Sequence, residues 1–343
     1  MTKVGFGLVS CQRHPGDRRG WADRYREALE LAEYADRLGL DSIWTTEHHF
    51  VDDGYMPSQL VTLAAMAART SRIEVATGVL LAPLHDPLRL AEDAATADLL
   101  SGGRLVLGLG LGWSEIEYRA LGADMRRRGR AMDEILTILP AAWSGRPVQH
   151  DGAVYHIPGV AVRPTPDRRI PIVIGGGAEP ALRRAAALAD GFFSNAPPDR
   201  LAEQAAIVAD ERERAGITRP FTWIWYSMLY VTDDPERGWA EIRDHVHATR
   251  WKYRDMVASA VREPGPLPEP PPLDEAAERE LRAATLVGTP EQIAAEVRRV
   301  AADAGTEFDF VARSYYPGLG FEQQAEQVRL LAEGVAPLLR GPG

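Results

Sequence analysis

Glu47, His48 and His49 are three ionisable side chains in a row, and they follow, after Thr46, on the strand-like stretch Asp41-Ser-Ile-Trp-Thr45. An imidazole gives or takes a proton near neutral pH. Paired histidines at the end of such a stretch therefore point to proton transfer, with the carboxylate available to orient a ring. Two other chemistries use the same residue types. A Glu–His hydrogen bond can be purely structural, and histidines can hold a metal. No third ligand stands at a recognisable spacing, which counts against the metal. Acid–base catalysis and structure stay open on these residues alone.

Glycine clusters mark three further places. Gly108-Leu-Gly-Leu-Gly112 lets backbone pass close to a flat or anionic ligand, or simply makes a tight loop. Its spacing is not GxGxxG, so a nicotinamide site is rejected. Gly175-Gly-Gly177 precedes a helix expected to begin near Ala178, and glycine-bared amides at a helix start attract anions. Glu179 puts a negative charge beside them, so a basic partner is needed. Arg130 is the candidate, because guanidinium matches phosphate bidentately. Thr77-Gly78-Val79 can lay backbone against a flat ring, or be an ordinary bulge.

Alternating segments must position these groups. Strands are expected at Val4–Val9, Asp41–Thr46, Ile73–Thr77, Arg104–Leu109, Pro171–Ile174, Phe192–Ser194, Phe221–Val231 and Glu307–Arg313. Helices are expected at Trp21–Leu38, Pro57–Thr70 with Pro57 in its first turn, Pro87–Leu100, Glu115–Leu121, Arg130–Trp143, Ala181–Ala189, Pro198–Ala215, Pro235–Val257, Pro290–Ala304 and Phe321–Leu339. Val148–Ile157, with Asp151-Gly152 at its centre, reads as a β-hairpin excursion. Arg262–Asp274 holds six prolines and reads as an exposed, mobile loop. A (β/α)8 barrel and a doubly wound sheet both fit. The count of eight strands, with ionisable groups after several of them, favours the barrel, built as one domain over residues 1–343.

Composition sets outer bounds. A 343-residue chain that is 45% hydrophobic fills a large core. A net charge of −10 argues against nucleic acid or an anionic membrane as partner. The single cysteine, Cys11, forbids an internal disulfide and fits a reducing cytoplasm. Neither a signal-peptide layout nor an apolar run of membrane-spanning length is expected.

Taken in order, several stretches resemble the bacterial luciferase-like flavin monooxygenases. They are Thr46-Glu-His-His-Phe50, Val75-Ala-Thr-Gly78 leading to Pro83, Pro87-Leu-Arg-Leu-Ala-Glu-Asp93 and Leu100-Ser-Gly-Gly-Arg104. Gly108-Leu-Gly-Leu-Gly-Trp113, Arg130, Gly175-Gly-Gly177 and Ala189-Asp-Gly-Phe192 continue the series. The resemblance implies a (β/α)8 TIM barrel with a hairpin insertion after strand four and a mobile loop, a water-excluding lid, after strand seven. It implies a flavin at the C-terminal ends of the strands. Family members use reduced FMN with dioxygen, through a C4a-peroxyflavin, or the deazaflavin coenzyme F-420. By position His48 is similar to the family's catalytic histidine, with Glu47 or His49 to orient it. Gly78-Val79 falls where the family has a non-prolyl cis peptide beneath the flavin ring. Thr77, Gly110, Gly112 and Ser114 match a stretch that lines the flavin. Arg130, Gly175, Gly176 and Gly177 match phosphate-binding positions. Phe50, Trp113, Met228 and Tyr230 are candidate walls for a small apolar or carbonyl-containing substrate.

The resemblance also implies a flavin reductase as partner and a homodimer, for which Pro57–Arg69, rich in Ala and Leu, offers a face. Two departures matter. The phosphate helix begins Gly177-Ala178, where the family often has Ser or Thr, which fits a flavin borrowed as a diffusible substrate. Gly110 replaces the cysteine found beside the flavin in luciferase itself, so light emission does not follow. Hydride transfer with a deazaflavin is the alternative reading, and a non-catalytic barrel subunit of a heterodimer is the second.

Overall fold

The computed structural model describes residues 2–17 and 19–341. Eight parallel strands close into a barrel. They are β1 (Val4–Val9), β2 (Ser42–Thr45), β3 (Glu74–Thr77), β4 (Leu105–Gly110), β5 (Ile172–Gly175), β6 (Gly191–Ser194), β7 (Thr222–Val231) and β8 (Asp309–Arg313). Each pairs with its neighbours in sequence, and β8 returns to β1 through Val4 opposite Phe310 and Gly7 opposite Arg313. Parallel strands need crossovers, and the helices between them supply these on the outside.

Side chains alternate across each strand, and this splits the core in two. The barrel interior takes one buried apolar residue from each strand: Leu8, Trp44, Ala76, Val106, Val173, Phe193, Ile224 and Val311. The opposite faces, such as Phe6, Ile43, Val75, Leu107, Ile172, Phe192 and Phe310, pack under the helices. Trp44 fills much of the interior. Its indole stacks on Phe193 at 4.6 Å, and Phe193 stacks on Tyr226 at 4.5 Å. Such contacts add about 0.5–1.5 kcal/mol each beyond burial. Trp44 fits because β1 is glycine where they meet. A Cβ on Gly7 would lie 2.8 Å from the Trp44 carbonyl oxygen.

The face at the strand starts is tied by two charged residues. Asp36 accepts from the backbone amides of Ser71, Arg72 and Ile73. Arg104 donates to the carbonyls of Ala67, Thr70, Ser101 and Ile73 and to the Thr70 hydroxyl. Both lie far from the strand ends that carry the histidines, so their work is structural.

Several local expectations are corrected. The helix after β2 runs Gln59–Arg69, so Pro57 lies before it and Ser58 stands at its N-cap. The hairpin strands are Val148–Asp151 and His156–Val160. The turn between them is wider than two residues because the Glu134 carboxylate fills it, accepting from Val154 and Tyr155. Among the elements not foreseen are the two-residue strand Leu80–Leu81 on β4, helix Glu275–Ala283, and strand Thr285–Gly288, which extends β7 by pairing with Met228–Val231. The last helix is broken by a π-helical turn over Leu331–Val335. No helix among the described residues is long and apolar enough to cross a membrane.

Candidate active site

β2 ends at Thr45, and the chain leaves the barrel mouth as a loop whose next residues turn inward. Thr46, Glu47 and His48 are all buried. Burial of this many polar groups is tolerated because almost every one is partnered. Glu47 sits at the centre of one network. His49 Nε2 donates to its Oε1 at 3.1 Å and His85 Nε2 at 3.4 Å, while Gln59 Nε2 donates to Oε2 at 3.2 Å. Burial alone would raise the Glu47 carboxyl, but the two histidines hold it at about 2. Burial pulls His49 down, and its hydrogen bond to Glu47 more than offsets this, so its pKa ends above the usual value.

His48 belongs to a different network, which corrects the expectation that Glu47 or His49 orients it. Its Nδ1 lies 3.0 Å from Glu117 Oε1, and the same oxygen accepts the backbone amide of His49 at 2.7 Å. A carboxylate oxygen only accepts, so Nδ1 carries the hydrogen of this bond, and Nε2 makes no hydrogen bond among the described residues. Glu117 comes from the short helix Glu115–Ala120 that follows β4, and its Oε2 is buried without a hydrogen-bond partner among the described residues.

Aromatic rings surround the imidazole. Tyr55 lies 5.0 Å from it, Tyr253 5.7 Å and Trp113 5.8 Å, each edge-on. Tyr55 and Tyr253 share a hydrogen bond of 3.2 Å between their hydroxyls. Trp113 and Phe50, large apolar groups beside buried histidines, are 44% and 45% exposed. Exposed aromatics of that size flanking a polar pocket are what a ligand would cover. Met228 and Tyr230 lie toward the end of β7, Met228 beside Arg313 of β8. They pack with Trp239 and Ile242, and the Tyr230 hydroxyl donates to Glu241. Tyr230 shares the inward parity of Ile224 and Tyr226, but it lies at the far end of β7, where the helix Pro235–Ser259 takes it up through Trp239, Ile242 and Glu241.

The glycine positions separate by role. The Thr77 hydroxyl bridges β3 to β4, donating to the Gly108 carbonyl and accepting its amide, both at 2.7 Å, so that side chain is spent within the sheet. The Gly78–Val79 peptide is cis, as the resemblance implied. Val79 packs into space that two glycines leave: a Cβ on Gly110 would come within 2.4 Å of it, and one on Gly175 within 2.7 Å. Gly112 takes φ +73°. Ser114 is the buried N-cap of the Glu117 helix and makes no side-chain cap bond.

Gly176 and Gly177 are exposed ahead of the helix Glu179–Leu188, which no side chain caps, and a Cβ on Gly177 would meet open space. The charge of Glu179 is engaged by Arg183 at 2.7 Å. Arg130 stands exposed in the first turn of the helix Arg128–Ala142 and makes no ion pair among the described residues. The two helices are neighbours, since Arg184 donates to Asp133 at 2.5 Å and to the Gly129 carbonyl at 3.4 Å. An uncapped helix start, open space and an unpaired guanidinium next door suit a phosphate.

The expected lid, Arg262–Asp274, has no regular structure. Arg262 is tied to Asp52 and Asp255, Lys252 joins the same two carboxylates, and His247 donates to the Pro271 carbonyl at 2.7 Å. Glu117, Tyr55, Tyr253, Gln59 and Arg313 were not singled out from the sequence. Only Arg313 carried a readable signal, a charge that ends an apolar strand as Glu47 does.

Comparison with known proteins follows the same lines. Residues 4–307 match the family model described as luciferase-like monooxygenase. The oxygenase component of a flavin-dependent trigonelline monooxygenase from Acinetobacter baylyi is 31% identical over 163 residues, 47% of this chain and 45% of that protein. An F420-dependent glucose-6-phosphate dehydrogenase from Microbacterium testaceum is 29% identical over 202 residues, 56% of this chain and 60% of that one. These matches span only about half of the curated relatives' own length. The crystal structure of monooxygenase RslO1 from Streptomyces bottropensis superposes with a TM-score of 0.83 at 25% identity, covering 98% of this chain and 99% of that one. With a closed parallel barrel whose mouth carries His48, and a family match over most of its length, the chain belongs to the luciferase-like monooxygenase family.

Proposed function

We propose that this protein is a flavin-dependent monooxygenase that takes reduced FMN from a separate reductase and uses dioxygen to oxidise a small organic substrate. The observation that carries the reading is the His48–Glu117 pair at the barrel mouth, which leaves the other imidazole nitrogen without a hydrogen bond among the described residues, beside aromatic rings. The likeness to RslO1 over nearly both whole chains supports it. Reduced flavin, when bound, supplies the electrons that activate oxygen.

The chain's own residues do the rest. Arg130 and the amides after Gly175 would hold the flavin's phosphate, and Val79, Gly110, Gly112 and Ser114 would line its ring. Nε2 of His48 accepts or returns a proton, while Glu117 fixes the tautomer and steadies the imidazolium when it forms. Trp113 and Phe50 cover the site from water. Glu47 and His49 hold the loop that carries His48 and do not touch the reacting atoms.

A second reading, hydride transfer with the deazaflavin coenzyme F-420, draws support from the F420-dependent dehydrogenase relative. An anaerobic titration with reduced FMN and with reduced F-420, followed by air, separates the two. Tight binding of reduced FMN and an oxygen-dependent absorbance transient support the monooxygenase. Binding of F-420 alone, with no such transient, overturns it in favour of hydride transfer.

A further inference from the structure

We infer that the substrate is an organic anion and that Arg313 receives its carboxylate, at a subsite beside His48. This rests on the proposal that the His48 face of the barrel mouth is the reacting centre.

Strand alternation places the arginine. Val311 of β8 faces the barrel interior, so Arg313, two residues on, faces the same way one layer nearer the mouth. Its neighbours in the sheet are Met228 on β7 and Gly7 on β1. Glycine on that side leaves the long side chain room. The guanidinium carbon lies 5.7 Å from the centre of the Tyr253 ring, and Nη2 lies 3.4 Å from the Tyr253 hydroxyl. That hydroxyl is the only hydrogen-bond partner of the Arg313 side chain among the described residues. No carboxylate there comes within ion-pairing distance.

Several arginines elsewhere in the chain differ. Arg24 has Asp17 and Glu27, Arg168 has Asp98, and Arg184 has Asp133. Arg104 has its fan of carbonyls. A guanidinium drawn partly out of water with a phenol as its one partner is expensive, and Met or Leu would fill the space more cheaply. A ligand carboxylate would satisfy it with two parallel hydrogen bonds.

The location gives the rest. Tyr253 contacts Arg313 through its hydroxyl while its ring lies edge-on to His48, so one tyrosine separates the unpaired cation from the imidazole. A substrate anchored by its carboxylate at Arg313 would lay its apolar body along Tyr253 and Tyr226 toward His48. The flavin phosphate is a different anion with a different place, since Arg130 and Gly175–Gly177 follow β4 and β5.

The test uses the whole protein and four probes: benzoate and hexanoate, with benzamide and hexanamide as their neutral counterparts, titrated by tryptophan fluorescence and calorimetry. Wild type should bind at least one carboxylate about tenfold or more tightly than its amide, with the preference shrinking as salt is added. Arg313→Gln should abolish that preference and leave both amides within about twofold. Arg313→Lys, which keeps the charge and loses the fork, should fall between, and it carries the test if the glutamine variant does not fold. No carboxylate preference in wild type, or an undiminished preference in both variants, overturns the inference. Loss of reduced FMN affinity in step with loss of carboxylate affinity would assign Arg313 to the cofactor and overturn it too. Failure of wild type to bind reduced FMN would sink the monooxygenase reading while leaving the carboxylate result to stand or fall by itself.

Discussion

Glu117 Oε1 lies 3.0 Å from His48 Nδ1 and 2.7 Å from the backbone nitrogen of His49, joining the loop after β2 to the helix after β4 across 69 residues of sequence. One carboxylate oxygen thus sets the position of the loop and the tautomer of the ring. Glu117→Leu removes the acceptor of both bonds, so nothing on that side holds the proton on Nδ1. Long-range nitrogen–proton spectra of His48 should show Nδ1 protonated in wild type and a mixture of the two tautomers in the variant. Turnover should fall about 10²-fold, the usual scale of a positioned acid–base group, with reduced flavin affinity unchanged. An unaltered tautomer with full turnover would refute the assignment.

Asp53 provides a pH signature. Burial raises its carboxyl from 3.8 to about 6, despite the Gln12 amide that donates to it at 2.7 Å. The native state therefore holds this proton more tightly than the unfolded state. Its contribution is fully present below pH 3.8 and is lost as pH rises through about 6. The two-unit gap corresponds to about 3 kcal/mol. Asp53→Asn lacks the titration, so the melting temperature of the variant should gain on wild type by roughly 5 °C across that window. A constant difference between the two melting curves would show that Asp53 does not titrate there.

Arg130 tests the phosphate cradle without any substrate. Reduced FMN should bind wild type about tenfold or more tightly than reduced riboflavin, which lacks only the phosphate, and salt should narrow the gap. Arg130→Ala should close most of it while leaving riboflavin affinity and thermal stability unchanged, because Arg130 makes no ion pair among the described residues. Equal binding of FMN and riboflavin by wild type would remove the cradle from the site.

How far the sequence reaches depends on the range of the interaction. All eight barrel strands were legible, because each is a short apolar run whose partners are its neighbours in the chain. Thr285–Gly288 was not, since four residues after the short helix Glu275–Ala283 carry no period of their own and take their form from β7. Within the candidate site, His48, Gly78 and Gly176 stand out in the sequence by residue type at a strand end. Glu117 does not, because Glu115-Ile-Glu117-Tyr reads as an ordinary helix turn until folding brings it under His48. Tyr230 misled for a different reason: it has the inward parity of Ile224 but stands at the end of β7, where Trp239, Ile242 and Glu241 take it up, and the strand's own sequence does not show that helix.

Arg104 separates stability from catalysis. Its guanidinium reaches the carbonyls of Ala67, Thr70, Ile73 and Ser101, which gathers the ends of two helices and the start of β3 around one side chain. Burial lowers its pKa without depriving it of its charge. Arg104→Met keeps the apolar stem and removes every donor, leaving several carbonyls short of a partner. The cost should be about 2–4 kcal/mol, read as a lower denaturant midpoint with an unchanged slope. The site lies at the other end of the barrel, so the folded variant should bind reduced FMN like wild type. Weakened flavin binding at full stability would contradict a structural role. It would mean that the two ends of the barrel are coupled through β3 and β4, the strands that Thr77 and Gly108 link midway.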